Sequence, residues 1–127
     1  MVLCLVVDDD EMTCKVASES LLSWGFKVMV KHDGLDALTW CAVRMPDFII
    51  LDMKMPNVDG FTFMATLHKM SNGRKPKVIA STGLRDPETV KKLRENGVAA
   101  YLVKPYSMEA LKEKLTKLDV FSFSPIQ

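Results

Sequence analysis

Two kinds of hydrophobic pattern succeed one another along the chain. Residues 2–7 (VLCLVV) are a continuous apolar run, the pattern of a strand covered on both faces. Over residues 11–24 the apolar positions Cys14, Ala17, Leu21 and Trp24 keep helical spacing, and Gly25 follows as a stop signal. Residues 26–30 alternate like a strand. Residues 35–45 are helical until Pro46-Asp47, and Phe48-Ile49-Ile50-Leu51 is a second buried run. Asp59 is read as the N-cap of a helix opened by Gly60 and running to Met70, with Ser71-Asn72-Gly73 ending it. Residues 78–81 form a short strand. Asp86-Pro87 pairs an N-cap with proline at the first helical position, and Gly97 marks the end. Residues 99–103 are the last strand, and Ser107 caps a helix carrying Met108, Leu111, Leu115 and Leu118 on one face. Five strands alternating with five helices predict an α/β fold, a doubly wound parallel sheet with right-handed crossovers.

Composition narrows this picture by exclusion. The chain has 127 residues, 48% of them hydrophobic and 26% charged, with a formal net charge of +1. That suits one globular domain and argues against disorder as the main state. No apolar run approaches the roughly 18 residues of a membrane span, and the start lacks the basic lead and cleavage site of a signal peptide. The balanced charge gives no reason to expect direct nucleic-acid or membrane binding. Cys4, Cys14 and Cys41 lack metal-ligand spacing and read as reduced, partly buried thiols of a cytoplasmic protein. The domain is read as residues 1–119. Residues 120–127 are read as a tail or the start of a linker, leaving no room for an effector domain.

In a parallel sheet of this kind, ligands bind beyond the carboxyl ends of the strands. Asp8, Asp9, Asp10 and Glu11 follow the first strand, Asp52 ends the third, Ser81-Thr82-Gly83 the fourth, and Lys104-Pro105 the fifth. Crowded carboxylates repel unless a cation intervenes. Oxygen donors without His or thiolate favour a hard ion, Mg2+ first, with Mn2+ possible. Carboxylates, a metal, a lysine and a hydroxyl together fit phosphoryl transfer, where positioning and charge neutralisation dominate. Asp52, alone at the end of the central apolar strand, is the best nucleophile.

The segments Val7-Asp8-Asp9, Leu51-Asp52-Met53-Lys54-Met55-Pro56-Asn57-Val58-Asp59-Gly60, Ser81-Thr82-Gly83 and Tyr101-Leu102-Val103-Lys104-Pro105-Tyr106 together resemble the signature of response-regulator receiver domains. The resemblance implies a flavodoxin-like, CheY-type (βα)5 fold with strand order 2-1-3-4-5. It implies that Asp52 accepts a phosphoryl group from a phosphohistidine on a sensor histidine kinase or histidine phosphotransfer protein. Asp8 and Asp9 match the acidic pair that holds magnesium with Asp52 and the backbone carbonyl of Lys54. Lys104 matches the lysine that pairs with the acceptor, Thr82 the switch hydroxyl and Tyr101 the switch aromatic, and the Lys104-Pro105 bond is usually cis in the family.

Such a domain catalyses its own aspartyl phosphorylation and dephosphorylation, and is not a turnover enzyme on small molecules. Its output would be a downstream effector or self-association through the fourth helix, fifth strand and fifth helix, including Lys91, Tyr101 and Tyr106. An aspartate-nucleophile phosphohydrolase would need a second acid two residues after the nucleophile, where Lys54 stands. A receiver-like interaction domain that is not phosphorylated would be expected to lack Asp52, Lys104 or the acidic pair, all of which are present. Lys54 and Leu84 border the route of hydrolytic water, so slow loss of the phosphoryl group is expected. Asp10 and Glu11 are read as a helix start, and Trp24 and Trp40 as packing at helix ends. His32 and His68 are read as exposed and without a role as ligand or base, and the basic run Arg74 to Lys77 as a solvated loop.

Overall fold

A computed structural model of the chain describes residues 2–70 and 75–120. The turn read at residues 71–73, Arg74 and all of the tail except Val120 lie outside the described residues. The strands are β1 (Leu3–Val7), β2 (Lys27–Lys31), β3 (Phe48–Asp52), β4 (Lys77–Thr82) and β5 (Ala100–Val103). Helices α1 (Glu11–Ser23), α2 (Gly34–Val43), α3 (Gly60–Met70), α4 (Pro87–Glu95) and α5 (Met108–Lys117) alternate with them. All four strand pairings are parallel, in the order β2-β1-β3-β4-β5.

The pleat divides the core into two halves, because successive side chains leave a strand on opposite faces. Leu5, Val7, Ile49, Leu51, Val78 and Ala80 face α2, α3 and α4, where Ala37, Phe63, Met64, Leu67 and Leu93 meet them. Cys4, Val6, Phe48, Ile50, Ile79 and Leu102 face α1 and α5, packing with Ala17, Leu21, Leu111 and Leu115. β1 and β3 are buried along their whole length, which explains their unbroken apolar runs.

Local chemistry sets the helix ends. Asp59, Asp86 and Ser107 accept hydrogen bonds from the backbone N–H groups of Thr62, Thr89 and Ala110, so all three read caps are caps. Asp10 and Asp33 cap α1 and α2 in the same way. Gly25 and Gly97 leave α1 and α4 with φ of 95° and 83°, the left-handed turn that ends a helix.

Pairing with neighbours moves several boundaries. β3 ends at Asp52, as read, while β4 runs from Lys77 on to Thr82, because Lys77 registers with Phe48 and Thr82 with Val103. β2 starts one residue later than its alternation predicts. Phe26 instead packs its ring edge-on against Phe48, 5.3 Å between centroids. Trp40 lies in the last turn of α2, partly buried against the first half of the core, and its carbonyl accepts from the C-cap N–H of Arg44. Val120, read as the first residue of the tail, is fully buried in the second half, brought inward after Asp119 turns at φ 60°.

Candidate functional site

β1 and β3 lie side by side at the centre of the sheet, so the residues that leave their carboxyl ends share one rim. Asp8 and Asp52 are buried there, 3% and 5% exposed, while Asp9 faces solvent. One carboxylate oxygen from each of Asp8, Asp9 and Asp52 falls within 4.8 Å of the others. Lys104 leaves β5, two strands away from β3, and its long side chain spans the gap. Its Nζ stands 2.8 Å from Asp8 Oδ2 and 3.2 Å from Asp52 Oδ2.

The remaining carboxylate oxygens are held by the backbone. Asp8 Oδ1 accepts from the N–H of Asp10 at 2.9 Å, and Asp52 Oδ1 accepts from the N–H of Lys54 at 3.1 Å. Asp52 is pushed up to about 6, first by burial and then by the negative charge of Asp8, against the pull of the Lys54 N–H and Lys104. Burial opposes the charge on Lys104, but its hydrogen bond to Asp8 and the charges of Asp8 and Asp52 outweigh that and raise its pKa. One ammonium pairs with two of the three clustered carboxylates, which leaves negative charge over. Oxygen-only donors, surplus charge and close spacing fit a small divalent cation such as magnesium.

The loops around this rim are closely built. The Lys104 N–H donates to the Thr82 carbonyl at 2.7 Å, coupling the ends of β4 and β5, and the Lys104–Pro105 peptide is cis. Thr82 is buried, and its hydroxyl oxygen accepts from the N–H of Leu84 at 3.1 Å. Asn57 adopts φ 70° as the chain turns, with the Val58 N–H donating to the Pro56 carbonyl. Gly60 fits because a Cβ there would lie 2.5 Å from Met53 Sδ and 2.7 Å from Met53 Cα. The residue after Asp52 is thus pressed against the first turn of α3.

Asp8, Asp9, Asp52 and Lys104 are brought together as the sequence predicts. Thr82 reaches the same rim through the end of β4. Lys54 contributes its backbone N–H to Asp52, and its side chain points into solvent with Leu84, which is 62% exposed. Tyr101 is not in the cluster. It packs against the first half of the core and lines a cavity of about 270 Å³ with Val90, Leu93, Arg94, Lys114 and Lys117.

Two residues next to the site escaped the sequence reading. His32 is exposed, as expected, yet its Nδ1 lies 3.2 Å from the Asp8 carbonyl oxygen. The buried Cys14 Sγ donates to that same oxygen at 3.2 Å. Burial, and then the charge of Asp8, push the Cys14 thiol up to about 12, which keeps it a donor. A lone His and a lone Cys carry no spacing signal that could have revealed this.

The profile of the response regulator receiver domain family matches residues 4–116. The chain belongs to that family. As a receiver domain it is 34% identical over 119 residues to a probable C4-dicarboxylate response regulator, DctR, of Priestia megaterium, covering 92% of this chain and 51% of that protein. It is 31% identical to the transcriptional regulatory protein ZraR of Salmonella typhimurium, covering 89% of this chain and 25% of ZraR. The chain thus spans about half or less of the length of these relatives. Among solved structures it resembles the chemotaxis protein CheY4 of Vibrio cholerae, with a TM-score of 0.84, 30% identity and coverage of 92% and 98% of the two chains. The receiver domain of a Pseudomonas aeruginosa sensor histidine kinase, 26% identical with a TM-score of 0.80 and coverage of 91% and 95%, has a magnesium ion coordinated in its active-site cleft. Among the described residues, no helix is long and apolar enough to cross a membrane.

Proposed function

We propose that this receiver domain takes a phosphoryl group from a phosphohistidine onto Asp52. The bridge that Lys104 makes between Asp8 and Asp52 carries this reading, because it marks where phosphoryl oxygens would be held. An Asp52 carboxylate oxygen attacks phosphorus, the N–P bond to the donor imidazole breaks, and the imidazole leaves with the bond's electrons. Lys104 would then turn to a phosphoryl oxygen, the Lys54 N–H would continue to hold Asp52, and the Thr82 hydroxyl would donate its hydrogen to the phosphate. A magnesium ion held by Asp8, Asp9, Asp52 and the Lys54 carbonyl would neutralise the phosphoryl charge.

Phosphohydrolase activity on small esters is disfavoured by Lys54, a solvent-facing cation where a general acid would be needed. Incubation with acetyl phosphate and magnesium should add one phosphoryl mass to the intact chain, and Asp52→Asn should abolish it. An adduct that survives Asp52→Asn would refute the assignment. p-Nitrophenyl phosphate should not be turned over repeatedly.

The phosphoryl signal would leave through α4, β5 and α5, by a shift of Thr82 followed by Tyr101. The groove there has an apolar floor (Val90, Leu93, Leu118) and a cationic rim (Arg94, Lys114, Lys117). Lys117 is paired with Glu113 at 3.1 Å, while Arg94 and Lys114 leave the rim positive on balance, which favours an acidic effector. Charge reversal at Lys114 and Lys117 should weaken effector capture without changing the phosphorylation rate. The incoming donor would be a histidine kinase or phosphotransfer protein, and cytoplasmic placement follows from that partner. The domain itself is taken as residues 1–119, and Val120, just past that bound, also packs into the second half of the core.

A further inference from the structure

Asp8 is gripped at every polar position. Its N–H donates to the Lys31 carbonyl, its Oδ1 accepts from Asp10, and its Oδ2 faces Lys104. Its carbonyl oxygen takes both the Cys14 thiol and the His32 ring, each at 3.2 Å. A carbonyl can only accept, and it has two lone pairs, so the two donors can bind together with the hydrogen on His32 Nδ1. Cys14 comes from the first turns of α1, and His32 directly follows β2. The carbonyl is therefore pinned from two separate elements.

That carbonyl belongs to the peptide joining Asp8 to Asp9. The peptide is planar, so fixing its oxygen fixes the plane from which Asp9 departs. Asp9 depends on this. Its side chain is exposed, and it nonetheless lies within the 4.8 Å carboxylate cluster.

We propose that His32 and Cys14 are positioning residues for the divalent-cation site. By donating jointly to the Asp8 carbonyl they hold the Asp8–Asp9 peptide plane and keep the Asp9 carboxylate turned toward Asp52. This rests on the reading of Asp8, Asp9 and Asp52 as the cation site. Neither residue touches the cation. Partners of ligand residues commonly alter metal affinity on the order of tenfold.

The test uses the full chain, unphosphorylated, titrated calorimetrically with magnesium chloride. His32→Ala and Cys14→Ala should each weaken magnesium binding on the order of tenfold. His32→Asn and Cys14→Ser, which keep a donor, should bind close to wild type. With acetyl phosphate, the half-saturating magnesium concentration should rise in the alanine variants while the plateau rate stays near wild type. Unchanged magnesium affinity in the alanine variants would overturn the proposal. So would equal losses in the alanine and donor-keeping variants, or a fall in plateau rate alone. If an alanine variant melts out in chelator, wild-type-like affinity in its folded donor-keeping counterpart and loss in the other alanine variant carry the same test. Wild-type protein that is phosphorylated on Asp52 but has insensitive variants sinks this inference alone. Wild-type protein that binds no magnesium sinks the parent reading with it.

Discussion

The ammonium of Lys104 stands nearer to Asp8, at 2.8 Å, than to the proposed acceptor Asp52, at 3.2 Å. One cation thus restrains Asp8 and the nucleophile together, and it can move to a phosphoryl oxygen without leaving Asp8. Lys104→Met keeps the length and removes the charge. It should slow phosphorylation by acetyl phosphate about a hundredfold, the scale of losing one preorganised donor. Intact-mass time courses at saturating magnesium check this, and a rate near wild type would remove Lys104 from the machinery.

Asp52 has a folded-state pKa of about 6, above the ordinary carboxylate value, because burial and Asp8 disfavour its charge. A raised acid binds its proton more tightly when folded. Its ionised form therefore costs stability at neutral pH, and that cost is relieved as pH falls through about 6 toward the unfolded value. In metal-free buffer, Asp52→Asn should raise the melting temperature at pH 7.5, and the gap to wild type should narrow by pH 5. Magnesium should raise the wild-type melting temperature, since the ion would bind only the folded chain. Thermal melts at the two pH values, with and without chelator, measure all three effects.

Gly60 opens α3 against Met53, where an added Cβ would meet Met53 Cα at 2.7 Å. A backbone atom cannot rotate away as a side-chain end can. Gly60→Ala should cost about 1–3 kcal/mol of stability, read as a lower urea midpoint at unchanged slope. The strain falls on the residue after Asp52, so the phosphorylation rate should drop as well.

Leu84 exposes most of its side chain just past Thr82, and Lys54 is exposed just past Asp52. Together they can screen the phosphoaspartate from attacking water. Leu84→Ala should shorten the half-life of the phosphorylated form on the order of tenfold, about 1.4 kcal/mol in barrier. A half-life of seconds in the wild-type protein would contradict the screening role.

Much of this molecule was legible in its sequence. The unbroken runs at β1 and β3 announce strands buried on both faces, and Asp59, Asp86 and Ser107 announce helix starts, because these signals act within a few residues. The chemistry was legible too, since a parallel sheet delivers Asp8, Asp9, Asp52, Thr82 and Lys104 to one rim whatever the details of packing. Tertiary structure decided what depends on partners distant in the chain. It lengthened β4 through its register, buried Val120, pressed Gly60 against Met53, and placed Lys104 between two carboxylates. It also set Cys14 and His32 on the Asp8 carbonyl. Single residues have no periodicity, and a hydrogen bond across 24 positions, as from His32 to Asp8, leaves no local trace. Short-range preferences determined the elements and the rim, and only close packing of the whole chain decided which atoms meet there.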